Sequence, residues 1–132
     1  MRYILMMHAP RGTGGDYQIN NWSPEDFKAH IAFMNDFNKA LTESGEYVSA
    51  AGLTPPNQAK LVRAGKNGKP ITDGVFPESK EYLAGYWIVD AESAERAYEI
   101  AGKASTAPGP GGVPLNMAIE VRPVLFQAPK VE

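Results

Sequence analysis

The chain has 132 residues and no cysteine. That excludes disulfides, thiolate metal sites and a cysteine nucleophile. Histidine is scarce: only His8 and His30 are present, with neither His-x-x-x-His nor paired His–carboxylate spacing, so no metal site is expected. An excess of one charge is also missing. Thirteen basic residues against 15 acidic ones give a net charge of -2, with no basic stripe that could track phosphates, so nucleic acid is not an expected partner. Long hydrophobic runs are lacking too. The opening MRYILMMH is too short for a signal core plus cleavage site or for a membrane span, and a soluble, cytoplasmic protein without a membrane partner is expected. No Walker-type loop, no GxSxG and no GxGxxG following a strand is found, and Gly12-Thr13-Gly14-Gly15 does not open directly into a helix. No cofactor is expected.

What is present is an ordinary globular composition, 43% hydrophobic and 21% charged, which suits a single domain over residues 1–132. The continuous apolar run Tyr3 to Met7 predicts a strand buried on both faces, ended by His8. Residues 9–22 hold Pro10, Gly12, Gly14 and Gly15 and predict a long loop. A helix follows from about Pro24 to Ser44. Ser23 is its N-cap, Pro24 takes the first position, and Asp26 imitates a capping-box carboxylate. Trp22 is placed to staple onto Phe27, and Gly45 to close the helix at C′. Phe27, Ile31, Met34, Phe37 and Leu41 recur at helical spacing and predict the buried face.

Further strands are predicted at 46–51, 59–64, 70–72 and 83–89. The Asn67-Gly68 pair marks a hairpin between the second and third of these. Asp90 is the expected cap of a second helix over 91–104, with Ala94, Ala97, Tyr98, Ala101 and Ala104 inward. Residues 105–116 are rich in Pro and Gly and predict a loop, and 117–126 a last strand with Met117, Ile119 and Val121 on one face and Glu120 and Arg122 on the other. This order gives an α+β fold, the ferredoxin-like split β-α-β pattern with an extra hairpin. Two helices on one sheet face leave the other apolar and open, which predicts a homodimer packed sheet to sheet.

His30 falls inside the apolar arc of the first helix, so its imidazole points at the sheet. It reads either as a core histidine bonded to a backbone carbonyl or as a general base oriented by a carboxylate, for which Asp73 is the candidate. Asp73-Gly74 reads equally as a plain turn. His8 and Arg122 are candidates for holding a ligand, and Met34, Tyr86 and Trp87 for lining an apolar pocket.

The stretch DGVFPESKEYLAGYWIVD, residues 73–90, resembles the signature DGPF-x-E-[ST]-K-E-x-L-x-G-[FY] of the DGPF-domain, YCII-related proteins. GLTPP at 52–56 and EVRPV at 120–124 are similar to that family in the same order, and Val75 departs from the family's usual proline. The resemblance implies a dimeric α/β barrel and a cleft with a His–Asp dyad, here His30 with Asp73, with Phe76 kept beside it. It also implies that cofactor-free chemistry is within reach, because a relative acts as a dehydrochlorinase on a chlorinated aromatic. Three readings stand: a cofactor-independent enzyme doing acid–base chemistry, proton abstraction or elimination, on a small organic molecule; a non-catalytic dimer that binds one; and, on fold analogy alone, a dimeric-barrel monooxygenase.

Overall fold

The computed structural model describes residues 1–10, 19–73 and 81–126. Four strands form the main sheet: β1 (Arg2–Pro10), β2 (Tyr47–Gly52), β5 (Glu81–Asp90) and β6 (Ile119–Pro123). Their spatial order is β2-β5-β1-β6, and each neighbouring pair is antiparallel. Each strand–helix–strand unit is therefore split by a strand of the other, as the element order implied. Two helices and antiparallel sheets make the chain α+β, and the described residues of one chain form no closed barrel. Among them no helix is long and apolar enough to cross a membrane.

β1 alternates. Tyr3, Leu5, Met7 and Ala9 are buried, while Ile4, Met6 and His8 are half-buried. The expectation of a strand buried on both faces is corrected here, because the helices cover one face only. His8 does not end the strand either; it lies within it and donates its backbone N–H to Ala118. The inward residues join Trp87 and Val89 of β5 in one core, where an enclosed side chain such as Leu5 contributes about 1.5–3 kcal/mol. One irregularity marks the β1–β5 pairing. Met7 lies opposite Gly85 but His8 lies opposite Leu83, so Ala84 is an extra residue, and both Ala84 and Gly85 are buried.

Helix α1 (Pro24–Glu43) begins as expected, with Ser23 Oγ accepting from the Asp26 N–H at 3.1 Å. It ends in a Schellman arrangement: Gly45 (φ 81°) donates to Thr42 O and Glu46 to Leu41 O. Its buried residues are His30, Phe37 and Leu41. Phe27 and Ile31, expected inward, are instead 43% and 39% exposed. At 100° per residue they stand about 60° and 100° away from His30, on the flank of an apolar arc wider than the contact itself. Trp22 meets the edge of His30, with ring centroids 5.2 Å apart.

Helix α2 (Ala94–Ser105) starts three residues later than expected, because Ser93 caps it by accepting from the Arg96 N–H. Asp90 instead takes a two-pronged bond from Arg2, at 2.7 and 3.0 Å. Ala97, Ile100, Ala101 and Ala104 are buried, whereas Tyr98 is exposed, about 100° round the wheel from Ala97. Arg96 also clamps Glu46 through two 2.8 Å bonds, fixing the start of α2 to the corner between α1 and β2. The expected hairpin forms from β3 (Leu61–Ala64) and β4 (Pro70–Asp73), turning at Asn67 (φ 61°) and Gly68 (φ 76°). It is a separate two-stranded sheet, with Val62 and Ile71 exposed.

Candidate functional site

His30 is 3% exposed, the one buried polar residue among those described. Its Nδ1 lies 3.0 Å from the carbonyl oxygen of Pro108. A carbonyl only accepts, so Nδ1 carries the hydrogen, and in the neutral tautomer the basic lone pair belongs to Nε2. Burial pushes the imidazole's pKa below its ordinary value, against the opposing effect of the Pro108 hydrogen bond. Pro108 is itself held in place: it bridges to Pro114, Gly109 donates to Val113 O at 2.7 Å, and Leu115 donates to Ala107 O. A Cβ on Gly109 would come within 2.6 Å of the Leu115 side chain, so glycine lets this loop fold tightly on itself. Pro and Gly marked 105–116 as a loop without showing that it docks on α1.

Beside His30, a cavity of about 300 Å³ runs between α1 and the paired strands β2 and β5. Its lining includes His30, Met34, Asn38, Gly85, Tyr86 and Trp87, and no described lining residue is charged. Trp87 Nε1 donates to Asn38 Oδ1 at 2.9 Å across this wall. The sequence candidates His30, Met34 and Trp87 are thus brought together, whereas Tyr86 borders the cavity from a strand position whose side-chain phase is that of Met6, on the helix-free face. Asn38 and Gly85 were missed. Asn38 had a readable signal, being a polar residue eight positions after His30 and four after Met34. Gly85 is required by close approach, since a Cβ there would stand 2.9 Å from Ala51 O. A larger groove, about 640 Å³, lies between α1 and α2 and includes neither histidine.

Asp73 is elsewhere. It ends β4, half-exposed, and accepts from Arg63 Nη2 at 3.0 Å. The structure therefore gives His30 and Asp73 separate partners: the imidazole is oriented by Pro108, and the carboxylate belongs to a hairpin with its own ion pair. His8 and Arg122 also part from His30, because they stand on the helix-free face of the sheet. There His8 Nε2 is 3.0 Å from Glu120 Oε1, and Arg122 Nε is 3.9 Å from Glu120 Oε2. Glu120 was not singled out as a site residue; only the β1–β6 register, with Met6 opposite Glu120 and Ile4 opposite Arg122, reveals the grouping. Phe76 lies outside the described residues. Among those described, no three His, Cys, Asp or Glu side chains converge as metal ligands.

The arrangement around His30 offers a neutral, oriented imidazole beside an uncharged apolar volume, which suits proton transfer or hydrogen bonding to a small organic compound. Comparison with known proteins points in one direction. The profile of the YCII-related domain matches residues 1–113. An uncharacterized protein of Rhizobium meliloti (strain 1021) is 28% identical over 124 residues, 94% of this chain and 96% of the relative.

Proposed function

We propose, from the premise that the chain belongs to the YCII-related domain family, that its cavity beneath α1 takes a small organic molecule and that His30 acts there as general base or acid. The chemistry is cofactor-independent proton abstraction or elimination. One observation carries this reading: a buried imidazole, fixed in tautomer by Pro108 and biased towards its neutral form, lines an uncharged cavity. A neutral imidazole accepts protons at neutral pH without first losing one. Orientation comes from the Pro108 carbonyl, the role first assigned to Asp73.

A second reading, a binding dimer without turnover, draws support from the same bond, since a backbone carbonyl does not stabilise an imidazolium as strongly as a carboxylate does. The two part on one experiment. Small aromatic and chlorinated carbon acids are incubated with the protein in deuterated water, and C–H exchange or chloride release is followed by NMR. Catalysis requires that His30→Gln abolish exchange or release while affinity changes only a few-fold. Activity that survives His30→Gln sinks the catalytic reading, and loss of affinity alone leaves the binding one.

The proposal extends to assembly. Ile4, Met6, Tyr86 and Ile88 share the helix-free face and are half-buried, an apolar centre suited to a second copy packed sheet to sheet. Two such ferredoxin-like halves would form the dimeric α/β barrel.

A further inference from the structure

We infer that Asn38 sets the ligand class of the cavity: it donates from Nδ2 to an uncharged acceptor oxygen, so the site takes neutral ring compounds bearing a carbonyl and excludes carboxylates. The inference rests on the proposed small-molecule site and names what that site selects.

The orientation of the Asn38 amide follows from its partner. An indole N–H only donates, so the atom 2.9 Å from Trp87 Nε1 is the amide oxygen, and the two N–H bonds of Nδ2 point away from the indole. No described side chain or carbonyl accepts from Nδ2, and Asn38 is half-buried in the cavity wall. A partly desolvated donor without a protein acceptor is satisfied by water or by a ligand oxygen.

Position then constrains the ligand. Asn38 follows His30 by eight residues, about 12 Å along the helix axis at 1.5 Å per residue. The two polar groups therefore address opposite ends of a bound molecule, with Met34, Ala50 and Trp87 lining the space between them. A volume of about 300 Å³ accommodates one small ring system. Charge supplies the exclusion. With no Lys or Arg among the described lining residues, a bound carboxylate would be desolvated without a partner, a far larger penalty than for a ketone. Asn38 is thus a specificity-determining residue, and His30 is the group left for chemistry.

The test uses the full-length protein and three probes: acetophenone, ethylbenzene, which keeps the ring and lacks the oxygen, and benzoate, which carries charge. NMR follows the Trp87 indole and the Asn38 side-chain amide. Acetophenone is expected to shift both saturably and to bind about 2- to 10-fold more tightly than ethylbenzene, the range one neutral hydrogen bond supplies. Benzoate is expected to produce no saturable shift at these groups. Asn38→Leu should bring acetophenone and ethylbenzene to equal affinity with both still bound, and Asn38→Ser, a smaller change that keeps a donor, should retain part of the preference. Equal affinities in the native protein, or an undiminished preference in Asn38→Leu, would overturn the inference while leaving the cavity reading in place. Saturable binding of benzoate at Trp87 would overturn it as well. If neither neutral probe moves the cavity signals, the small-molecule reading itself fails, and the role of Asn38 fails with it.

Discussion

The Nδ1 of His30 donates to the carbonyl oxygen of Pro108 at 3.0 Å, joining the middle of α1 to a loop 78 residues further along the chain. This one bond ties the apolar arc of α1 to the Pro/Gly-rich loop and decides which imidazole nitrogen is basic.

Acid should weaken the fold through His30. An unfolded histidine titrates near about pH 6.5, whereas burial lowers the value in the folded chain. Above about pH 6.5 both states are neutral and this group adds no pH dependence. Below it the unfolded chain takes up a proton that the folded imidazole resists, so stability declines as pH falls and levels off beneath the folded pKa. Urea unfolding between pH 7.5 and 5 should show this slope, and His30→Gln should flatten it. In a parallel NMR titration Asp73→Asn should leave the His30 midpoint unmoved, because that carboxylate is engaged by Arg63. A midpoint that falls in Asp73→Asn would restore the His–Asp dyad.

The Arg96–Glu46 clamp should contribute measurably, since the Glu46 side chain is 14% exposed and both oxygens are used. Arg96→Ala is expected to cost about 1–2 kcal/mol, discounted for the partial exposure of the guanidinium. Hydrogen bonds from Arg96 hold the Glu46 carboxyl below the usual carboxylate range. Its stabilising contribution is therefore full above the unfolded glutamate value and is lost as pH falls towards the folded one. Chemical denaturation at pH 7 and pH 3 checks both parts; the gap between native and variant should shrink in acid.

Gly85→Ala should destabilise the chain by about 1–3 kcal/mol, the range for forcing an atom into a packed site. The new Cβ would meet backbone, Ala51 O at 2.9 Å, which cannot swing aside as a flexible side chain could. Because Gly85 also lines the cavity, the acetophenone affinity should fall alongside the melting temperature. A variant as stable as the native chain would show that β2 and β5 separate more readily than their pairing indicates.

Met6→Glu should produce a folded monomer. Met6 lies opposite Tyr86 on one side and Glu120 on the other, at the apolar centre of the helix-free face, so a carboxylate there faces the proposed second copy and not the core. Sedimentation equilibrium should report a dimer for the native chain and a monomer for the variant, with an unchanged far-ultraviolet spectrum. A native monomer removes the sheet-to-sheet assembly.

Much of the fold could be read directly. The caps of α1, the Asn67-Gly68 turn and the alternation in the last strand are local signals, and the structure contains each of them. Phe27, Ile31 and Tyr98 misled because a periodic apolar arc gives the direction of burial without its width, which depends on the surface beneath. The candidate site was half legible. Helical periodicity placed His30 and Met34 on the cavity wall, while the choice between Tyr86 and Trp87 depended on strand register, which turns Trp87 to α1 and Tyr86 to the other face. Pro108 could not be foreseen as the partner of His30, since a backbone carbonyl carries no residue identity to recognise. The grouping of His8 with Glu120 depended on a strand register that no local pattern reveals.

The extra residue at Ala84 has a consequence for length. Strand β5 keeps two side-chain phases, one on each side of that point, and only the additional residue reconciles them. Deleting Ala84 would leave Gly85 opposite Met7 and Leu83 opposite His8, so Glu81, Tyr82 and Leu83 would keep their faces and only the bulge, with its local twist, would be lost. At this position the strand is therefore built to tolerate a lost codon, whereas a deletion anywhere else along its paired length would turn the side chains beyond it to the other face.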